Sequence, residues 1–173
     1  MDGNFLKNFS VKEIDNSGIF TGPYPVLEED TMMLKDLGIT AILNLQTTQD
    51  IQNRGYSWSK MTQIYLSKGI KNAIHLPVDD SVEKEFKIKI FTAAQYLHDM
   101  VNKKGHRVYI HCSSGISRAP SAILTYLCLF KRVECWRDID KADQYLTSNY
   151  HVAHANKTLV SQIIRDNHKF QAE

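Results

Sequence analysis

The chain has 173 residues, 43% hydrophobic and 23% charged, enough to bury a core of its own without a disulfide or metal staple. That excludes a disulfide mini-protein, a disordered tail and a collagen-like rod. A net charge of +2, from 21 basic and 19 acidic residues, leaves no broad electrostatic footprint for nucleic acid or an anionic membrane.

The elements follow in chain order. Met1 to Lys7 lacks the apolar stretch of a signal peptide, and Gly3 stands one place too late for the myristoylation pattern. Ile19 to Gly22 reads as a short strand stopped by Pro23 and Pro25. Leu27 to Leu37 has helical spacing through Leu27, Thr31, Leu34 and Leu37, and Gly38 ends it. Ile39 to Leu45 is an apolar run suited to a strand buried on both faces. A helix is expected over Ser57 to Ser67, then a strand over Ala73 to Leu76, broken by Pro77. Glu83 to Asn102 keeps a helical period through Phe86, Ile90, Ala93, Ala94, Leu97 and Val101, and stops at Lys103-Lys104-Gly105. Arg107 to His111 is the next strand. Helices are then expected over Ser117 to Lys131, Cys135 to Ser148 and Asn156 to His168.

Strands alternating with helices imply one α/β domain across 1–173 (core about 15–168), a three-layer sandwich on a largely parallel sheet of four to five strands. The longest apolar stretch, Ala122 to Phe130, is too short to span a bilayer. Cys112, Cys128 and Cys135 are odd in number and show no paired spacing, which points to a reducing, cytoplasmic setting. The basic pairs Lys103-Lys104, His106-Arg107 and Lys131-Arg132 read as solvated helix ends or loops. Partners of the nucleic-acid or membrane kind are not expected, and the oligomeric state is not legible.

The chemistry concentrates where a strand passes into a helix: His111-Cys112-Ser113-Ser114-Gly115-Ile116-Ser117-Arg118-Ala119-Pro120. Small residues let Ser113, Ser114, Gly115, Ile116, Ser117 and Arg118 turn successive N–H groups inward as a phosphate-sized nest at a helix N-terminus. Arg118 can grip two phosphate oxygens with its planar fork. The same donors stabilise a thiolate at Cys112, a nucleophile charged before substrate arrives. His111 either orients this loop or is a satisfied core histidine; a zinc site with Cys112 and His75 lacks a fourth ligand and any ligand spacing.

His111, Cys112, five residues and Arg118 resemble the signature of the cysteine-dependent protein tyrosine phosphatase superfamily, and the length and shape of the domain resemble its small dual-specificity branch. Ala41-Ile42-Leu43-Asn44-Leu45-Gln46, Arg107 to Cys112 and Arg118-Ala119-Pro120 resemble the laforin and plant glucan phosphatases more closely. The resemblance implies the dual-specificity phosphatase fold, metal-independent hydrolysis without a cofactor, and a Cys112 phosphocysteine intermediate. It also implies a general acid on a loop some thirty residues before the cysteine. Asp80, thirty-two residues before Cys112, fits that place, with Asp79 as a neighbour able to share the task. Most dual-specificity enzymes carry a hydroxyl after the arginine to help the thiolate leave; here Ala119 stands there.

The substrate stays open between phosphoprotein and phosphoglucan. The glucan branch stacks sugars on aromatics where this chain has Asn53-Arg54 and Ser81, with Tyr56 and Trp58 as substitutes or core residues. Lysines that would select phosphoinositides are absent from the loop. A non-catalytic phosphate-binding scaffold is the alternative of another class. Cys128 or Cys135 could pair with an oxidised Cys112, although Cys128 falls on an apolar helix face suited to packing.

Overall fold

A computed structural model describes residues 9–26, 28–131 and 133–171; Met1 to Lys7, Leu27 and Arg132 lie outside the described residues. Five strands, β1 (Lys12–Ile14), β2 (Ile19–Thr21), β3 (Ala41–Asn44), β4 (Asn72–His75) and β5 (Val108–His111), form one sheet in the order β1-β2-β5-β3-β4. Only the β1–β2 pair is antiparallel. Around this sheet lie α1 (Glu28–Asp36), α2 (Thr48–Asn53), α3 (Trp58–Ser67), α4 (Glu83–His98), α5 (Arg118–Leu129), α6 (Ile139–Asn149) and α7 (Lys157–Asp166).

The continuous apolar runs at β3 and β5 mean that both sheet faces are covered. Successive strand side chains point to opposite faces, and here they divide between two cores. Ile19, Ala41, Leu43, Val108 and Ile110 join Phe86, Ile90, Leu97, Ile123, Leu127, Leu146 and Val160 of α4 to α7. Phe20, Ile42 and Tyr109 join Leu34, Ile51, Met61 and Tyr65 of α1 to α3. The result is the expected three-layer α/β sandwich.

Register sets the position of the loops. Asn44 of β3 lies opposite His111 of β5 on one side and His75 of β4 on the other. The segments after three parallel strands therefore emerge together at one edge, the usual place for a ligand in such sheets.

Local structure departs from the sequence expectation in four places. Ile14 and Ile19 are joined by a turn in which Asp15 and Asn16 adopt φ of 52° and 48°, a conformation short polar side chains tolerate, and this adds β1. Thr47 opens α2 with a capping box, accepting from the Asp50 N–H and donating its own N–H to the Asp50 carboxylate. α4 widens at its end into a π turn, Asp99–Lys103, rather than staying regular to Asn102. The expected helix from Cys135 divides at Asp138, whose carboxylate caps α6 by accepting from Asp140 and Lys141 N–H groups; the preceding Glu134–Arg137 is a 3-10 turn.

Gly22, just after β2, is held by crowding. A Cβ there would lie 2.4 Å from the Ser10 carbonyl oxygen and 2.7 Å from the Tyr109 hydroxyl. Gly22→Ala should lower stability by about 1–3 kcal/mol, the usual cost of overpacking, read as a lower urea midpoint with an unchanged denaturant slope.

Candidate active site

Cys112 directly follows β5 and is buried, and the loop 113–117 carries the chain into α5. The loop is anchored by its carbonyls. The Tyr24 N–H donates to the Ser113 carbonyl at 3.4 Å and the His154 N–H to the Ile116 carbonyl at 2.6 Å. The N–H groups of Ser113, Ser114, Gly115 and Ser117 meet no acceptor among the described residues. Carbonyls engaged and amides open is the polarity of an anion nest, and the α5 N-terminus adds its partial positive charge.

Gly115 makes that curvature possible. Its φ is +77°, and a Cβ would sit 2.6 Å from the Tyr150 hydroxyl and 2.8 Å from the Gly22 carbonyl oxygen. Tyr109 donates to the Pro23 carbonyl behind the same contact. Burial, with Cys112 nearby, pushes the Tyr150 phenol up to about 12, so it keeps its proton and stays a potential donor beside the loop. Ala119 is fully buried; hydroxyls come to the loop from Tyr150 and from Ser113, which accepts from Gln46 Nε2 at 3.2 Å.

Arg118 opens α5 and is largely buried. Its Nη1 donates to Asp50 Oδ2 at 2.7 Å and to the Val78 carbonyl at 3.0 Å, with the Leu45 carbonyl at 3.5 Å. Among the described residues no partner engages Nη2 or Nε, which leaves one edge of the fork available. Asp50 was not among the candidates read from sequence. The signal that could have found it is Thr47-x-x-Asp50, a capping pattern ahead of Ile51. Burial raises the Asp50 carboxyl, but hydrogen bonds from Arg118 and Thr47 outweigh it and hold the group below its ordinary 3.8.

Asp79 and Asp80 follow β4 beside Val78. Asp79 accepts from both the hydroxyl and the N–H of Ser81, at 2.6 and 2.9 Å. Those two bonds, with the Arg118 charge adding, hold its carboxyl below the ordinary range. Asp80 is exposed, and no partner engages it among the described residues. His111 is fully buried, its Nδ1 3.0 Å from the Cys112 carbonyl and its ring 5.5 Å from Tyr109. His75 lies elsewhere, with Nε2 at 2.6 Å from the Gln46 carbonyl and its ring on Trp58. Among the described residues no cluster of His, Cys, Asp and Glu could hold a metal, and no helix is long and apolar enough to cross a membrane.

All three cysteines are free. Cys128 lies at the far end of α5, more than ~12 Å of helix rise from the loop, and burial pushes its thiol up to about 12; it packs in the core. Tyr56 and Trp58 are half-buried. The Tyr56 hydroxyl donates to the Val26 carbonyl, and Trp58 packs on Tyr65 and His75.

The Asp50 pair should show in the pH dependence of folding. Folding lowers the proton affinity of this carboxyl, so its stabilisation is complete above about 3.8 and is lost as pH falls through the depressed folded value. Asp50→Asn should cost about 1–3 kcal/mol at pH 7, as hydrogen bonds to charged groups do. Urea titrations of both proteins should converge below pH 3.8.

Residues 19–169 match the family described as dual specificity phosphatase, catalytic domain. Human dual specificity protein phosphatase 26 is 27% identical over 112 residues, covering 65% of this chain and 49% of that protein. Mouse laforin is 30% identical over 111 residues, covering 58% and 33%. The Arabidopsis thaliana chloroplastic phosphoglucan phosphatase LSF1 is 31% identical over 109 residues, covering 63% and 18%. The chain thus spans about half or less of the length of these relatives. Among solved structures, kinase associated phosphatase superposes with a TM-score of 0.72 at 15% identity, covering 95% of this chain and 97% of that one. PTPMT1 gives 0.70 at 14% identity, covering 94% and 97%. With the family match running from β2 to the last turn, the chain belongs to the dual specificity phosphatase catalytic-domain family.

Proposed function

We propose that this chain is a metal-independent, single-domain phosphomonoester hydrolase acting through a Cys112 phosphocysteine. The observation that carries the reading is Cys112 at the end of β5, beneath a loop of unengaged N–H groups, with Arg118 anchored beside it. In the first step the Cys112 thiolate attacks phosphorus in line. An S–P bond forms, the P–O bond breaks, and its electron pair leaves with the departing oxygen, which takes a proton from Asp80. Water then attacks phosphorus, gives its proton to Asp80, and the S–P bond breaks to restore the thiolate. Arg118 and the loop amides balance charge on the equatorial oxygens. His111 supports the loop through the Cys112 carbonyl.

Asp80 is the better proton carrier of the two carboxylates. Asp79 is committed as an ionised acceptor to Ser81, whereas Asp80 is exposed.

For substrate we favour phosphoprotein, tyrosine or serine/threonine. Tyr56 and Trp58 are spent on packing, and Arg54 stands where the glucan branch places an aromatic. Phosphoglucan is the second reading, supported by the similarity to laforin and LSF1.

Purified protein should hydrolyse an aryl phosphate in the presence of a chelator and be inhibited by vanadate; inactivity on every phosphoester would favour the scaffold alternative. Cys112→Ser should abolish turnover while phosphate-analogue binding persists. Asp80→Asn should slow turnover by about 10²–10⁴, chiefly with poor leaving groups. A larger loss in Asp79→Asn than in Asp80→Asn would reassign the acid by one position. Phosphate release from phosphopeptides and from solubilised phosphorylated glycogen, measured side by side, decides between the substrates.

A further inference from the structure

α2 carries a second charged residue on the side that faces the site. Arg54, at its C-cap, lies one turn beyond Asp50, and residues four apart on a helix have Cβ atoms about 5–6 Å from each other. Asp50 touches Arg118, so Arg54 stands one turn further out along the same face.

A second tie fixes it there. Arg54 Nη1 donates to the Tyr24 hydroxyl at 3.3 Å, and its Cζ lies 4.9 Å over the Tyr24 ring. Tyr24 itself donates its N–H to the Ser113 carbonyl of the loop. The guanidinium is therefore held at the loop rim by an aromatic face. It is exposed, and among the described residues no carboxylate pairs with it. A planar cation with most of its five donors unused, set beside a phosphate site, is a recognition group for a second anion.

We infer that Arg54, seated on Tyr24, is a specificity-determining residue that receives an acidic side chain two positions from the phosphorylated residue of an extended peptide. This rests on the phosphoprotein reading above. Side chains two apart on an extended chain share a face and lie about 6.5–7 Å from each other, which suits the step of one helical turn from the Asp50–Arg118 pair to Arg54. A neutral sugar chain offers Arg54 no such charge.

The test uses phosphotyrosine and phosphothreonine peptides carrying Glu, Gln or Lys at −2 or +2. Each rate is normalised to the same variant's rate on an aryl phosphate. The wild-type chain should prefer Glu over Gln at one of these positions by roughly 1.5–5-fold, the range of an exposed charge pair, and the preference should fade as salt rises. Arg54→Gln should bring the ratio near one, and Arg54→Glu should turn it in favour of Lys. Peptides cleaved with no charge preference, or with one that Arg54→Glu leaves in place, would overturn this inference while leaving the phosphatase reading intact. Aryl phosphate cleaved but peptides refused in favour of glucan would overturn it with the phosphoprotein reading. No hydrolysis of any phosphoester would overturn all three.

Discussion

The site depends on one ion pair, Arg118 with Asp50. A guanidinium at the first residue of a helix has wide rotamer freedom and no backbone reason to point anywhere. Here a single nitrogen, Nη1, is drawn to Asp50 Oδ2 and the Val78 carbonyl. That joins α5 to α2 and to the segment leading into Asp79 and Asp80. Asp50 is itself fixed, because the same Oδ2 accepts the Thr47 N–H that starts α2. A helix cap and an active-site anchor thus share one carboxylate. The arrangement is economical but brittle: loss of Asp50 frees an arginine and frays a helix at once.

The loop beside it is preorganised by what surrounds it rather than by bonds within it. Its carbonyls are occupied by Tyr24 and His154, and its backbone is pressed against Gly22 and Tyr150 at Gly115. Neither glycine could carry a side chain without moving a carbonyl or a phenol. Donors fixed before charge develops need no reorganisation during reaction, which is the main source of electrostatic catalysis. The tyrosines suit this place because burial keeps their phenols neutral, so they can donate beside an anion without repelling it.

Much of this was legible because the periodic signals are strong. Ile39 to Leu45 and Arg107 to His111 read as doubly buried strands, and their residues do divide between two cores. The Cys112 to Arg118 segment, singled out by residue type and order, runs from the end of β5 into α5 as expected. The elements not anticipated are those too short for periodicity to speak: β1 has three residues and α2 six. Asp50 was hidden for a different reason, since it meets Arg118 across 68 positions of sequence and only the register of β3 against β5 brings them together. Asp138 divided a helix because a capping side chain competed with continuation. Tyr56 and Trp58 were ambiguous in principle, because helical spacing does not tell a platform from a core.

On the proposed function, discrimination between substrates has to arise outside the loop. A nest of amides and one arginine reads three equatorial oxygens, and these are alike in every phosphomonoester. What differs is the group that follows the ester oxygen, and the rim is where it is met. There the charges are divided, with Arg54 supplied by α2 and Asp79 and Asp80 by the segment after β4. Both contributions lie near water, where a charge pair contributes about 0.2–1 kcal/mol. On the phosphoprotein reading, rim electrostatics would therefore bias the choice among phosphopeptides by small factors and set how they approach. On the proposed mechanism the chemical acceleration belongs to the buried Cys112–Arg118 centre, so specificity and rate would be carried by separate parts of the fold and could vary independently.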